Sequence, residues 1–187
     1  MDLLFSDETG KSNDQLGAVE GLPPGELQAV EITTKAEGRS RLLTASITVP
    51  RALEQVWQVL TDYEALADFI PNLAESNLSH DSQGRILLEQ VGSQNVLFLN
   101  FSARVVLLME EHYPNEIRFE MQEGDFQEFR GCWQLDPEAE GSRLTYRLQV
   151  LPKRLTPVIA IERCLKRELS ANLLAVRQQV CERYPTS

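Results

Sequence analysis

The sequence predicts an α+β fold in which a curved antiparallel sheet wraps around one long C-terminal helix, with two short helices after the first core strand. Three observations predict it. Near the C-terminus, over Leu155 to Arg183, apolar residues recur every three or four positions. From Leu73 up to that stretch, apolar and polar residues alternate through segments divided by short turn signals. Before that series, one alternating segment is followed by two short runs of helical spacing. A helix with a single apolar face needs a layer to lie against, and an antiparallel sheet with one wet face provides it.

Residues 1–26 carry six acidic residues and one lysine, net −5, which is half of the chain's formal −10. With Gly10-Lys11-Ser12-Asn13-Asp14 and Gly21-Leu22-Pro23-Pro24-Gly25, this stretch has too little apolar surface to offset its ordering entropy. It reads as an acidic mobile tail ahead of one domain over 27–184. Its Leu3-Leu4-Phe5 is either a docking motif for a protein partner or a chance cluster. Leu27–Thr33 and Arg41–Val49 have strand composition, and Glu37-Gly38 is the turn between them. In the second strand Leu43, Ala45, Ile47 and Val49 share a face. Pro50 is expected to start a helix with Leu53, Val56, Trp57 and Leu60 inside, closed by Asp62-Tyr63. A shorter helix, Glu64–Asp68, stops before Pro71.

The remainder reads as strands until the last helix. Gly84 ends one strand, Arg85–Gly92 is the next, and Val96–Met109 is the longest run, apolar at every odd position from Leu97 to Met109. Pro114-Asn115 marks a turn. Ile117, Phe119 and Met121 follow on one face; after Gly124-Asp125, so do Phe129, Gly131, Trp133 and Leu135. Asp136-Pro137 is read as the turn into a last strand with Leu144, Tyr146, Leu148 and Val150 inward. Thr156 is then expected to cap the closing helix, with Pro157 at its first position. Val158, Ile161, Leu165, Leu169, Leu173, Val176 and Val180 form its apolar face.

Composition excludes several classes. The chain has 187 residues, 42% hydrophobic and 25% charged, so it can bury a core of ordinary globular type. A net charge of −10 argues against nucleic acid and against an anionic membrane surface unless a local basic patch compensates. No run of about eighteen apolar residues is present to span a bilayer. Cys132, Cys164 and Cys181 are odd in number and widely spaced, unlike a disulfide framework or a zinc site. They suit a reducing, cytoplasmic setting. No metal and no cofactor is expected, for the phosphate-loop, dinucleotide, serine-hydrolase and zinc-protease motifs are all absent.

Chemistry in a hollow between sheet and helix would need converging polar groups, such as a carboxylate or imidazole with an arginine. His80 and His112 lie off the apolar faces and are expected to be exposed. In Ile86-Leu87-Leu88-Glu89-Gln90-Val91 both faces are apolar. If Ile86 and Leu88 face inward then Gln90 joins them; the other register brings in Glu89. Arg130 has outward parity, although Gly131 could mark a bulge that re-aims it. Tyr146 offers an inward phenol. Arg104 belongs to the outward set, as a solvated charge or ion-pair partner, and Asn172 flanks the helix stripe.

The order of elements resembles the helix-grip fold of START-like proteins. Ile47-Thr48-Val49-Pro50, Val56-Trp57-Gln58-Val59-Leu60-Thr61-Asp62-Tyr63 and Phe69-Ile70-Pro71-Asn72-Leu73 carry the resemblance first. Gly124-Asp125-Phe126, Gly131-Cys132-Trp133-Gln134-Leu135 and Leu144-Thr145-Tyr146 extend it. Together they resemble the polyketide cyclase/dehydrase and coenzyme-Q-binding branch of that superfamily, over about residues 39–183. The resemblance implies a deep apolar pocket for a hydrophobic ligand, but no single activity. Trp57, Phe101, Phe119, Met121, Phe129, Trp133, Tyr146, Leu165, Leu169 and Leu173 are the expected ligand-binding wall. Few converging charges favour binding over turnover: the expectation is a carrier of a lipid, prenylated quinone or polycyclic molecule. One rival is a cyclase/dehydrase-type enzyme using Glu89 or Gln90, Arg130 and Tyr146. The other is a protein-interaction module with a closed core.

Overall fold

The computed structural model describes residues 30–185 except 97–98, and no side chains over 94–101. The tail expected over residues 1–26 lies outside them. Eight strands run in the order β1 (Glu31–Glu37), β2 (Ser40–Val49), β3 (Leu73–His80), β4 (Ile86–Val96), β5 (Leu99–His112), β6 (Glu116–Gly124), β7 (Phe126–Glu138) and β8 (Gly141–Pro152). Helix α1 (Leu53–Leu60), a 3-10 turn at Tyr63–Ala65 and α2 (Leu66–Phe69) interrupt them after β2. Helix α3 (Val158–Arg183) closes the chain. The strands make one antiparallel sheet, β1-β2-β8-β7-β6-β5-β4-β3. Only the β2–β8 pairing joins strands distant in sequence, so it carries the closure entropy of the long intervening chain.

Alternation explains the sheet's inner face. Leu43, Ala45, Ile47 and Val49 of β2 and Leu144, Tyr146, Leu148 and Val150 of β8 are all buried. Each large aliphatic among them contributes about 1.5–3 kcal/mol by leaving water. Register matches size to size: Ala45 lies opposite Tyr146, and Gly131 lies between Phe119 and Leu148. These small residues leave room for the rings beside them.

Five expected boundaries move. The first helix starts at Leu53 with Ala52 as its cap, because Pro50 and Arg51 are spent leaving β2. Its Ala52 N–H is capped by the Gln55 side chain at 3.2 Å. The alternating run expected from Val96 to Met109 is divided instead: Val96 ends β4 and pairs with Leu99 at the start of β5, while Leu97 lies outside the described residues. The hydrophobic pattern runs unbroken from β4 into β5, which is why spacing alone reads it as one strand. Pro137 stays inside β7, opposite Ser142, and the turn falls at Ala139-Glu140. Pro157, not Thr156, caps α3, and no side chain bonds the helix start. The first strand, expected over Leu27–Thr33, is described over Glu31–Glu37.

Helix α3 has 26 residues, roughly 39 Å. Arginines hold both of its ends. Near the start, Arg41 Nε lies 2.6 Å from Glu162 Oε2, and Lys166 lies 3.0 Å from the same carboxylate. The Lys166 hydrogen bond, then Arg41, hold that carboxyl below the usual glutamate range. Arg39 donates to the carbonyls of Lys153 and Thr156, both at 3.0 Å. At the far end Arg183 meets Asp62 at 2.7 Å and Arg51 Nε donates to the Tyr184 carbonyl at 2.5 Å. Among the described residues no helix is long and apolar enough to cross a membrane.

Candidate functional site

Helix α3 packs most closely on β2, β8, α1 and α2 and faces β4–β7 across an open space. Bulges at Leu73/Glu75, Val106/Leu107 and Phe126/Glu128 bend the far strands, while α3 runs on above them. A cavity of about 170 Å³ remains between the two layers. Its sheet wall is made by Leu88, Gln90, Ala103, Val105, Leu107, Met109, Ile117, Phe119, Phe126, Phe129, Trp133, Tyr146 and Leu148. Ile161, Cys164, Leu165, Glu168, Leu169, Asn172 and Val176 of α3 form the lid, and Leu60, Tyr63, Leu66, Ile70 and Leu73 one end.

The aromatic wall is a connected set. Trp133 and Tyr146 stack with centroids 3.9 Å apart and planes 3° from parallel. Phe119 touches Phe129 and Tyr146, each at 5.9 Å, and Phe126 meets Phe129 at 5.3 Å. Rings that buttress one another keep their rotamers when the space beside them is unfilled.

Polar groups are few and concentrated on α3. Cys164, Glu168 and Asn172 follow one another at four-residue steps, so they share a stripe. Cys164 Sγ donates to Glu168 Oε1 at 3.8 Å. Burial pushes the Glu168 carboxyl above the usual glutamate range, against the Cys164 hydrogen bond and the Arg167 charge. Burial likewise lifts the Cys164 thiol to about 11 and, with Glu168 nearby, raises the Tyr146 phenol. Asn172 Oδ1 is buried and has no hydrogen-bond partner. At the other end Gln90 Nε2 donates to Ser76 Oγ at 3.4 Å, Ser76 to the Tyr63 carbonyl at 2.7 Å, and the Tyr63 hydroxyl to Glu111 at 2.7 Å. Among the described residues no arginine, lysine or histidine lines the cavity, and no three metal-ligating side chains cluster.

The raised Glu168 carboxyl has a pH consequence. Its folded form holds a proton over a range in which the unfolded chain has lost it. Stability therefore falls as pH rises from the ordinary 4.5 through the folded value. Glu168→Gln is expected to gain on the wild type across that window and to hold a constant advantage above it. Urea midpoints of both proteins at a series of pH values check this; parallel curves would mean that the carboxyl is not shifted.

The structure separates the residues singled out in the sequence. Phe119, Phe129, Trp133, Tyr146, Leu165 and Leu169 line the cavity, and so does Gln90, because Leu88 faces inward. Glu89 therefore points outward, where Arg104 meets it at 2.5 Å and Glu123 at 2.7 Å. Arg130 is also on the outer face, exposed, donating to Gln149 at 3.2 and 3.3 Å. The bulge that would have re-aimed it lies three residues earlier. Trp57 is core rather than wall: it packs edge-on against Tyr113 at 5.3 Å. Leu173 of α3 is fully buried and does not line the cavity, and Met121 is partly buried against the core beside Gly124, also outside the lining. The Phe101 side chain lies outside the described residues. His80 and His112 are exposed. Glu168 was missed. The four-residue step from Cys164 to Asn172, flanking the apolar stripe, is the signal that would have found it.

Residues 49–177 match the family described as polyketide cyclase/dehydrase and lipid transport. The chain belongs to that family. No curated protein matches the sequence significantly. Solved structures of the same fold include the STAR-related lipid transfer protein of Xanthomonas axonopodis, 18% identical with TM-score 0.67 over 82% of this chain and 94% of that one. Zhui aromatase/cyclase of Streptomyces sp. R1128 is 20% identical with TM-score 0.63 over 77% and 95%. A START superfamily protein of Mycobacterium smegmatis is 17% identical with TM-score 0.63 over 76% and 99%. The fold is the helix-grip fold of START proteins, as the order of elements implied.

Proposed function

We propose that this family member binds and carries a hydrophobic small molecule, a lipid, prenylated quinone or polycyclic compound, in the cavity under α3. The observation that carries the reading is the gap itself: α3 faces β4–β7 across an open space walled by aliphatic and aromatic side chains. A water needs about 10–15 Å³ of such space, so 170 Å³ takes roughly a dozen heavy atoms. That is a fused ring system or the head of a lipid; a prenyl tail would extend past the rim. Apolar burial supplies the affinity, at about 25 cal/mol per Å². The family's description names lipid transport, and one neighbour of this fold is a lipid transfer protein. We place the carrier in the cytoplasm, as three widely spaced cysteines suit, and take residues 27–184 as one domain with the acidic tail left for a protein partner.

A second reading is favoured by one feature. Glu168, a buried carboxyl beside Tyr146, is the kind of group a cyclase/dehydrase would use as acid or base. Without a lining cation to hold an enolate, it stands behind the carrier reading. Native mass spectrometry of the protein from its producing cells tests both. A retained hydrophobic mass, unchanged on incubation, is expected; a mass converted to one differing by water would favour the enzyme. Neither a retained mass nor uptake of any added hydrophobe would overturn the carrier reading.

A further inference from the structure

We propose that the cavity selects, among apolar ring systems, those carrying a hydrogen-bond donor, a hydroxyl above all, and that Asn172 Oδ1 on α3 receives it. This rests on the carrier reading and deepens it. Asn172 lines the cavity, and its Oδ1 is buried with no hydrogen-bond partner among the described residues. A buried acceptor in that state costs desolvation free energy that nothing in the empty protein returns. Four residues earlier, Glu168 presents a carboxyl to the same space. Its neighbour Cys164 donates to it at 3.8 Å, and Tyr146 of β8 lies close enough to feel its charge. The acceptors thus sit together on the α3 side, while the opposite wall is Leu88, Val105, Leu107 and Phe119. At the Gln90 end the amide is already engaged with Ser76. That polar end of the cavity is bonded within the protein, and the open valence on the α3 side is an acceptor's. A hydrocarbon would fill the room and leave that oxygen unpaired; an ether would bring a second acceptor against it. A hydroxyl pairs it.

Three probes of nearly equal size separate these cases: 1-naphthol, 1-methoxynaphthalene and naphthalene, each with about as many heavy atoms as the cavity accepts. Binding to the full chain is followed by quenching of tryptophan emission, since Trp133 lines the wall. 1-Naphthol is expected to bind about tenfold tighter than the other two, the scale of one otherwise unmade buried hydrogen bond. Asn172→Leu, close in size and apolar, is expected to bring 1-naphthol down to the level of naphthalene while leaving naphthalene bound. The same substitution should raise the melting temperature of the empty protein by a few degrees, since it removes an unpaired polar atom. A stable variant that has lost the preference is a result that a merely structural asparagine would not give. Equal binding of all three probes, or a preference that survives in Asn172→Leu, overturns the inference and leaves the carrier reading standing. No binding of any probe overturns both.

Discussion

Gly131→Ala is expected to lose about 3 kcal/mol of stability or more. A Cβ at Gly131 would stand 2.0 Å from the Arg147 carbonyl oxygen and 2.7 Å from Phe119 Cζ. The first of these is backbone, fixed in the β7–β8 ladder, and cannot turn aside as a side-chain tip would. The second is the ring that buttresses both Phe129 and Tyr146. Relief requires β7 to part from β8, which also pulls Trp133 away from Tyr146. Domains are stable by about 5–15 kcal/mol in total, so such a loss is a large share. Urea denaturation followed by tryptophan emission reads it directly. A midpoint like the wild type's would show that the sheet is looser at this point than its geometry implies.

Leu165→Trp is expected to abolish uptake of 1-naphthol while leaving the protein folded. Leu165 is buried on the lid and faces the cavity. An indole adds about six heavy atoms there, roughly half of what the space accepts. Because the added bulk enters a void, the stability cost should stay below the about 1–3 kcal/mol typical of overpacking a filled core. Native mass spectrometry with 1-naphthol is the measurement, since the new tryptophan would complicate emission. Retention of the naphthol mass at wild-type affinity would place the binding site elsewhere.

Much of this architecture was readable before any coordinates. The apolar stripe of α3 and the inward residues of β2, β6 and β8 follow from spacing alone, since each element buries one face and wets the other. The failures have a common origin. Between Gln94 and Leu99 no glycine, proline or aspartate marks the β4–β5 turn, so one alternating pattern ran across two strands. Pro137 sits in a strand because β7 can give up a donor near its end. The site was harder. Periodicity says which way Trp57, Leu173 and Leu169 point, but all three point inward, and only Leu169 borders space. Whether a buried residue touches a neighbour or a void depends on where the bulges bend the far strands, and a bulge leaves little trace in a hydrophobic pattern. Glu168 and Asn172 lay just off the stripe, where polar residues are ordinarily solvated; the gap beneath α3 turns that flank inward.

The arginine contacts at the two ends of α3 reverse the usual order in which a helix comes apart. Termini ordinarily fray first, but Glu162 and Thr156 are fastened to the β1–β2 hairpin, and Tyr184 and Arg183 to the approach to α1 and its exit. Between them, from Leu165 to Asn172, one flank of the rod has no solid support. Amide protons of this middle span should therefore exchange with solvent sooner than those around Val180, which is fully buried away from the cavity. A guest molecule would act as a keystone there, slowing exchange in the mid-span and hardly altering the ends.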